Sequence, residues 1–151
     1  MTVTVNLEGF ENFERNLAQL QKLATRRAVA RRALIKAAQP MADMAQGLAP
    51  VGDSNTLAPS IMVGTKLSKR QAPLHRKMFK GDRASVEVFV GAGPVPSAHT
   101  QEFGTVHHAP QPFMRPAWDR DHKALLQRLG ELMAKEIDKA VTRAARRANR
   151  G

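Results

Sequence analysis

The chain has 151 residues and no cysteine, and its 24 Lys and Arg outnumber 13 Asp and Glu to give a formal net charge of +11 at pH 7. This length suits a single domain, residues 1–151, with its own core. The lack of cysteine excludes disulfides and thiolate metal sites. No apolar stretch approaches the length of a membrane helix, and we expect no signal peptide. The excess positive charge predicts an acidic partner: nucleic acid, an anionic membrane or an acidic protein surface.

The first third of the chain predicts a short strand followed by a long helix. Residues 2–7 alternate between apolar and polar side chains, which indicates a strand. Apolar residues then recur at helical spacing and predict one long helix, or two nearly continuous ones, over about residues 11–46. Pro40 is expected to kink or divide this helix, and Gly47 and Pro50 to end it. The first members of the apolar series are Phe10, Phe13, Leu17, Leu20 and Ala24.

The middle of this helix carries a basic cluster with no acid among its members. Like charges three or four residues apart destabilise a helix, which favours an external anionic or acidic partner. An ordinary solvated helix face is the alternative for any single member. The cluster consists of Arg26, Arg27, Arg31, Arg32 and Lys36.

The central part of the chain predicts a hairpin with a long basic loop. Residues 51–60 are a polar loop, and residues 61–65 and 85–90 are expected to be its two strands. Residues 66–83 between them show no apolar period, and loops of this length are usually functional or disordered. We expect this basic loop to project from the hairpin and to be poorly ordered in the isolated protein. Its basic residues are Lys66, Lys69, Arg70, Arg76, Lys77, Lys80 and Arg83.

Residues 98–118 hold much of the aromatic and proline content and predict an ordered loop. Phe103 lies in this loop beside Gly104, which can adopt a positive φ. Phe113 and Trp118 are expected to be buried anchors of the loop, either in a packed core or at a subunit boundary.

The same stretch contains a carboxylate and the start of the last helix. Glu102 is expected to accept hydrogen bonds from turn amides or from an arginine such as Arg115. A terminal helix runs from about Trp118 to Ala144, with Asp119 and Asp121 suited to the positive end of its dipole. Beyond it, the basic extension over residues 143–151 is expected to be frayed and exposed, with Arg143, Arg146, Arg147 and Arg150.

No constellation of residues predicts an enzyme or a cofactor. His99, His107 and His108 lie near Glu102, but adjacent histidines on extended backbone point to opposite sides and their spacing matches no usual zinc pattern. No serine has the surroundings of a nucleophile elbow. The glycines at 91 and 93 are followed by a proline rather than a helix, which excludes a dinucleotide or phosphate-binding loop. We therefore expect no catalytic residues, no metal and no cofactor.

Five motifs occur along the chain in a particular order. They resemble those of the head–tail joining (neck, or tail-completion) proteins of long-tailed lambda-like siphophages, which include relatives of the minor tail protein Z and HK97-type morphogenesis proteins. The Glu-Phe-Gly-Thr turn and the last motif are the most specific of the five. The motifs are Leu7-Glu8-Gly9-Phe10, Ala49-Pro50-Val51, Leu57-Ala58-Pro59-Ser60-Ile61, Glu102-Phe103-Gly104-Thr105 and Pro110-Gln111-Pro112-Phe113-Met114-Arg115-Pro116-Ala117-Trp118.

The resemblance implies a structural virion protein that forms a homo-oligomeric ring, with six-fold symmetry expected, at the portal-proximal end of the tail. It also implies an α+β fold with a long N-terminal helix, a small antiparallel sheet and a C-terminal helix, in agreement with the pattern above. Its partners would be neighbouring neck, tail-terminator or tail-tube proteins, and assembly would take place in the host cytoplasm. A tail-terminator ring and a basic nucleic-acid-binding protein are the alternative functions.

Three basic clusters then have expected roles in such a ring. DNA must move through the channel without being gripped, because each neutralised phosphate adds affinity. We therefore expect residues 26–36 and 143–150 to dock onto other proteins. The basic loop at residues 66–83 is the better candidate for weak contact with packaged DNA.

Overall fold

The computed structural model describes residues 23–80 and 86–150. The predicted strand at residues 2–7, the first part of the predicted long helix, and Arg83 lie outside the described residues. The elements in chain order are α1 (Leu23–Leu48), α2 (Leu57–Ser60), β1 (Met62–Gly64), α3 (Gln71–Met78), β2 (Phe89–Gly91), α4 (Ser97–Phe103) and α5 (Met114–Ala148). The predicted α+β class, with a long helix, a small antiparallel sheet and a C-terminal helix, is confirmed. Within these ranges, no helix combines the length and apolar character needed to cross a bilayer.

The core lies between the two long helices and extends under the hairpin. Small residues on α1, among them Ala33 and Ala37 with no exposed surface, let α5 approach closely. One cluster joins the N-terminal half of α1 to the C-terminal half of α5, through Val29, Ala33, Ala37, Leu129, Met133, Ile137 and Ala140. The second joins the other halves to the hairpin, through Met41, Ala42, Ala45, Ala49, Leu57, Ile61, Phe113 and Ala117.

Helix α1 continues without a break through Pro40, so the expected division there is wrong. A proline inside a helix removes the backbone donor that would serve the carbonyl four residues earlier and crowds that turn. At this turn the Ala37 carbonyl oxygen accepts from Arg128, at 2.9 Å from Nη2 and 3.3 Å from Nε. The carbonyl that Pro40 leaves without its usual donor is that of Lys36, whereas Arg128 binds the next one, and the helix is unbroken where this turn contacts α5. A kink at Pro40 stays a prediction.

The two strands pair as predicted, in an antiparallel hairpin. Val63 lies opposite Val90, and both pack against the second core cluster. The expected strand over residues 85–90 is too long, because β2 begins only at Phe89. Strand β1 ends at Gly64, opposite Phe89, so residues 86–88 have no partner strand.

The expectation of a structureless basic loop is wrong, because α3 forms inside it. The Ser68 hydroxyl accepts from the Gln71 backbone N–H at 3.2 Å, and the Gln71 side chain accepts from the Ser68 N–H at 3.3 Å. This reciprocal pair is a capping box, which fixes the start of a helix. The His75 ring then contacts Phe89 edge-on at a centroid distance of 5.3 Å, which attaches α3 to β2.

Three further segments are more helical than expected. The polar loop ends at α2, which includes Pro59. The stretch over residues 98–118 contains α4 and the start of α5, so only its middle is a loop. Helix α5 continues to Ala148, so the basic extension is exposed but helical rather than frayed. In the loop before α2, Asn55 has a φ of 42°, the left-handed conformation that asparagine tolerates.

Candidate assembly surfaces

Glu102 joins α4 to the first turn of α5. Its side chain is buried, and its two carboxylate oxygens accept from the backbone N–H groups of Phe113 at 2.8 Å, Met114 at 2.9 Å and Arg115 at 3.1 Å. Arg115 adds its Nε at 3.0 Å, and its Nη2 donates to the Glu102 carbonyl oxygen at 2.7 Å. Both kinds of donor expected from the sequence, turn amides and Arg115, are therefore present. The carboxylate satisfies N–H groups that the start of a helix otherwise leaves without a partner.

The charge state of Glu102 follows from these contacts. Burial raises the pKa of this carboxyl, but the three backbone N–H donors and the Arg115 side chain lower it, and the pKa lies below its ordinary value. The carboxylate thus stays ionised at neutral pH. It holds α4 and the start of α5 in one arrangement.

The turn after Glu102 requires a glycine. Gly104 has a φ of 74°, and a Cβ at this position would come within 2.9 Å of the His108 carbonyl oxygen and of Pro110. Thr105 and His108 close the turn through two backbone hydrogen bonds. The Glu-Phe-Gly-Thr motif therefore encodes a compact turn that delivers Glu102 to α5.

The expected aromatic anchors differ in burial. Phe113 is 1% exposed and belongs to the second core cluster, whereas Trp118 is 56% exposed, so its expected burial is wrong within the subunit. Burial of Trp118 at a subunit boundary stays a prediction. Ala117 already faces the core with no exposed surface, and neighbouring residues of a helix point about 100° apart. Trp118 instead stacks on His122 at a centroid distance of 5.6 Å. Phe103 is exposed too, with the Arg115 guanidinium 5.0 Å from its ring centroid.

Trp118 contributes to an apolar groove between the two long helices and β2. The groove has a volume of about 520 Å³. Its wall is almost entirely aliphatic or aromatic, and its only acidic lining residue among the described residues is Asp119. The lining residues are Leu34, Ala38, Met41, Val88, Val90, Met114, Arg115, Trp118, Asp119 and Leu125.

Two members of the basic cluster on α1 bind an acid within the same chain. Glu136 of α5 is buried and accepts from Lys36 Nζ at 2.7 Å and from Arg32 Nε at 3.0 Å. These hydrogen bonds lower the pKa of Glu136 to about 2. Arg32 and Lys36 therefore have an acidic partner within the chain, 104 and 100 residues further along, and their contact with an external partner stays a prediction.

A second buried acid was not recognised from the sequence as a partner across the helix pair. Asp121 is 5% exposed and forms two hydrogen bonds with Arg128, at 2.6 and 3.0 Å. The same guanidinium reaches the Ala37 carbonyl of α1, so this pair also connects the helices. The sequence signal was their spacing of seven residues, which places both side chains on one face of a helix. Asp121 is thus an ion-pair partner rather than a dipole-facing residue alone.

Most of the other basic residues singled out in the sequence lie on exposed surfaces, whereas Arg26 is half-buried. Arg27 and Arg31 are exposed on α1, four residues apart. A second group occupies one face of the last turns of α5, through Arg143, Arg146 and Arg147. The segment around α3 exposes Lys66, Lys69, Arg70, Arg76, Lys77 and Lys80. Across residues 23–80 and 86–150, no three His, Cys, Asp or Glu side chains are grouped to hold a metal ion.

Residues 11–104, well over half of the chain, match the family described as "Bacteriophage HK97-gp10, putative tail-component". The chain belongs to this family. The match covers α1 to α4 and ends at the Gly104 turn, and it confirms the resemblance to HK97-type neck and tail proteins found from the motifs. Comparisons with curated proteins and with solved structures gave no match. The family gives the protein a structural role in the phage tail and a place in the virion.

Proposed function

We propose that the protein forms a ring at the portal-proximal end of the phage tail, where it completes the tail and joins it to the head. Membership of the HK97-gp10 tail-component family is the observation that carries this proposal. The ordered neck-protein motifs support it, because one of them provides the Glu102 turn that fixes the start of α5. A structural tail family also agrees with the prediction of a non-enzymatic protein.

The exposed basic surfaces suit docking onto acidic neighbours. Arg27 and Arg31 lie on α1, and Arg143, Arg146 and Arg147 lie on the last turns of α5. In a closed ring, each surface is repeated by the symmetry and becomes a continuous basic band. We assign these two surfaces to contacts with neighbouring neck or tail proteins, and we leave Arg32 and Lys36 out because Glu136 binds them.

The segment around α3 is less suited to DNA than its charge alone suggests. Leu74 and Met78 are 63% and 77% exposed beside its basic residues. Phosphate contacts use cationic and polar groups and gain nothing from aliphatic side chains. We therefore assign this segment to a protein contact instead of the weak DNA contact expected from the sequence.

Deletion of the gene from its parent phage tests the proposed function. We expect filled heads and full-length tails that remain separate in electron micrographs, and joined infectious particles after purified protein is added. Overlong tails would indicate the tail-terminator function instead. Joined, infectious particles in the absence of the protein would contradict the proposal.

Charge reversal then tests the docking surface on α1. Arg27→Glu with Arg31→Glu should reproduce the unjoined heads and tails, because both residues are exposed and the fold does not need their charge. Lys123→Glu with Lys135→Glu, two exposed sites on α5, is the matched control and should leave joining intact. Particles of the Arg27 and Arg31 variant that join normally but eject DNA abnormally would place this surface in the channel.

The exposed arginines at the end of α5 favour nucleic-acid binding as a second candidate function. Arg143, Arg146 and Arg147 share one helix face, as in a surface that contacts phosphates. A steep loss of DNA affinity with rising salt, abolished by neutralising these three residues, would support that function. Salt-independent or absent binding would exclude it.

A further inference from the structure

We propose that α3 of one subunit docks into the apolar groove of a second copy, and that this head-to-tail contact repeats around the assembly. The inference rests on the proposed ring function and names the contact that would build the ring. Four observations carry it: the exposed face of α3, the open groove, their placement on opposite sides of β2, and the distribution of charge.

The outer face of α3 carries an apolar pair that nothing within the described residues covers. Leu74 and Met78 lie four residues apart, so their side chains share one face of the helix, and they are 63% and 77% exposed. Arg70 and Lys77 lie on the same side, four residues before and three after Leu74. An eight-residue helix is marginal in water on its own. Burial of this pair against a second protein would stabilise it.

The groove offers the matching surface. Its volume of about 520 Å³ is enough for the side chains of such a pair, and its lining is aliphatic except at the edge. Trp118 lies at this edge with more than half of its surface exposed. A large aromatic side chain beside an apolar cleft is the residue type that most often dominates binding energy at protein interfaces.

The positions of α3 and the groove determine whether α3 can enter the groove of its own subunit or only that of another subunit. Val88 and Val90 line the groove, whereas Phe89 between them contacts His75 of α3. Successive side chains along extended backbone point to opposite sides, so α3 and the groove lie on opposite sides of β2. Helix α3 therefore cannot fill the groove of its own subunit. Two complementary surfaces at different places on one subunit generate a heterologous contact. Such a contact closes into a ring when the rotation from each subunit to the next adds up to a full turn.

The charges agree with this pairing. Residues 54–80 contain six Lys and Arg and no Asp or Glu, so the segment that carries α3 is basic. An acid from outside this range, Glu87, lies next to it, with its Oε1 3.7 Å from Nε2 of His75. The groove edge holds Asp119, which is exposed, and Arg115, whose guanidinium already binds Glu102. Docking would bring Lys77 and Arg70 of one copy toward Asp119 of the next. Such complementarity sets orientation and suppresses α3-to-α3 pairing between copies.

Introduced cysteines test the contact, since the chain has none of its own. We would prepare Leu74→Cys, Leu125→Cys and the double variant, then cross-link purified protein and assembled tails by oxidation and with a flexible bismaleimide. The double variant should give a ladder of covalent multimers, and each single variant should stay monomeric. A double variant without a ladder under both reagents would overturn the proposal. Dimers from Leu74→Cys alone, or its cross-link to a different tail protein without a subunit ladder, would also overturn it.

A charge exchange provides a second readout. Lys77→Glu and Asp119→Lys should each raise the protein concentration needed for half-maximal assembly about tenfold, measured by light scattering. The double variant should assemble at a concentration close to that of the parent, because an acid at residue 77 can pair with a base at residue 119. Lys69→Glu and Glu131→Lys, at exposed sites outside the contact, are the matched controls and should assemble as the parent does. Losses that simply add in the double variant would contradict the pairing.

The experiments separate this inference from the proposed function. Rings that form without a ladder would reject the α3 contact and leave head–tail joining standing. A ladder in a protein that is dispensable for joining would reject the function and retain the contact.

Discussion

The helix pair and the α3 segment use their charges in opposite ways. Between α1 and α5, the acids Asp121 and Glu136 are buried, and each binds a basic side chain of the same chain. Residues 54–80, which include α3, contain six Lys and Arg and no acid, and large apolar side chains are exposed beside them. The acid that approaches α3 from outside this segment is Glu87, beside His75. Basic clusters that look alike in the sequence are thus structural in one region and available to a partner in the other. Substitutions should separate the two regions: those at the buried acids of the helix pair should change stability, and those on the exposed face of α3 should change assembly.

Phe113→Ala should produce the largest loss of stability. Phe113 is 1% exposed and packs where α5 begins against α1 and the hairpin. Truncation of a buried phenylalanine costs about 3–5 kcal/mol, because apolar contacts are lost and a cavity remains. Denaturant unfolding of the purified subunit measures this loss. Phe103→Ala is the matched control: its ring is 56% exposed, so its change should be far smaller. If both variants lost the same free energy of unfolding, Phe113 would contribute no more to the core than the exposed Phe103.

Glu136→Gln should have the next largest effect, roughly 1–2 kcal/mol, because a buried charge-assisted network is lost while Arg32 and Lys36 can still reach water. The folded-state pKa of about 2 lies below the ordinary 4.5, so the carboxylate contributes stability above the unfolded-state pKa. That contribution is lost as pH falls from about 4.5 toward 2. Unfolding measured across this range should therefore be less pH-dependent in the variant. Glu131→Gln, at an exposed site on the same helix, should keep the parent's pH dependence, and a parent-like profile for Glu136→Gln would contradict the account.

Glu102→Gln should cost about 1 kcal/mol, the usual size of a helix N-terminal cap and its charge. An amide oxygen can accept fewer of the N–H groups at the start of α5, and it no longer pairs with Arg115 as an ion. The pKa of Glu102 in the folded protein is lowered, as that of Glu136 is, so its carboxylate also stabilises the fold above the unfolded-state pKa. This stability is lost as pH falls through the folded-state pKa. Amide exchange at Phe113 to Arg115 should become faster in the variant. Unchanged exchange there would mean that the carboxylate does not hold this end of the helix.

Leu74→Ser should have the smallest effect on the isolated subunit, within about 0.5 kcal/mol, because the side chain is mostly exposed. Its effect should appear instead in assembly, as fewer multimers at equal protein concentration in sedimentation runs. Ala72→Ser is the contrasting change on the half-buried face of the same helix, and it should affect stability more than assembly. If Leu74→Ser clearly lowered the free energy of unfolding of the isolated subunit, Leu74 would belong to the core of its own chain.

Local patterns predicted the main elements of this fold. Helical spacing of apolar residues indicated α1 and α5, valine-rich segments indicated the hairpin, and the combination of Glu102, Gly104 and Arg115 indicated a turn tied to its neighbour. Each of these signals lies within a few residues of its structural consequence. The capping box at Ser68 and Gln71 was a local signal too, and recognising it would have predicted α3.

The features that the sequence did not predict depend on contacts between distant residues. Lys36 and Glu136 are 100 residues apart, so no local sequence pattern could identify Glu136 as the partner of the basic cluster on α1. The packing of α5 against α1 brings the two side chains together. The contact of Arg128 of α5 with the Ala37 carbonyl, on the turn before Pro40, likewise joins residues far apart in the chain. Trp118 looked like a core residue by type, but Ala117 takes the inward position on that turn and leaves the indole at the groove edge.

A density map of the neck of the intact phage tests the central claim most directly. We expect a ring of this subunit between the portal and the first tail-tube ring, with Arg27 and Arg31 facing an acidic neighbouring protein. Density for the subunit elsewhere in the tail, or a virion without it, would contradict the proposed role in joining head and tail.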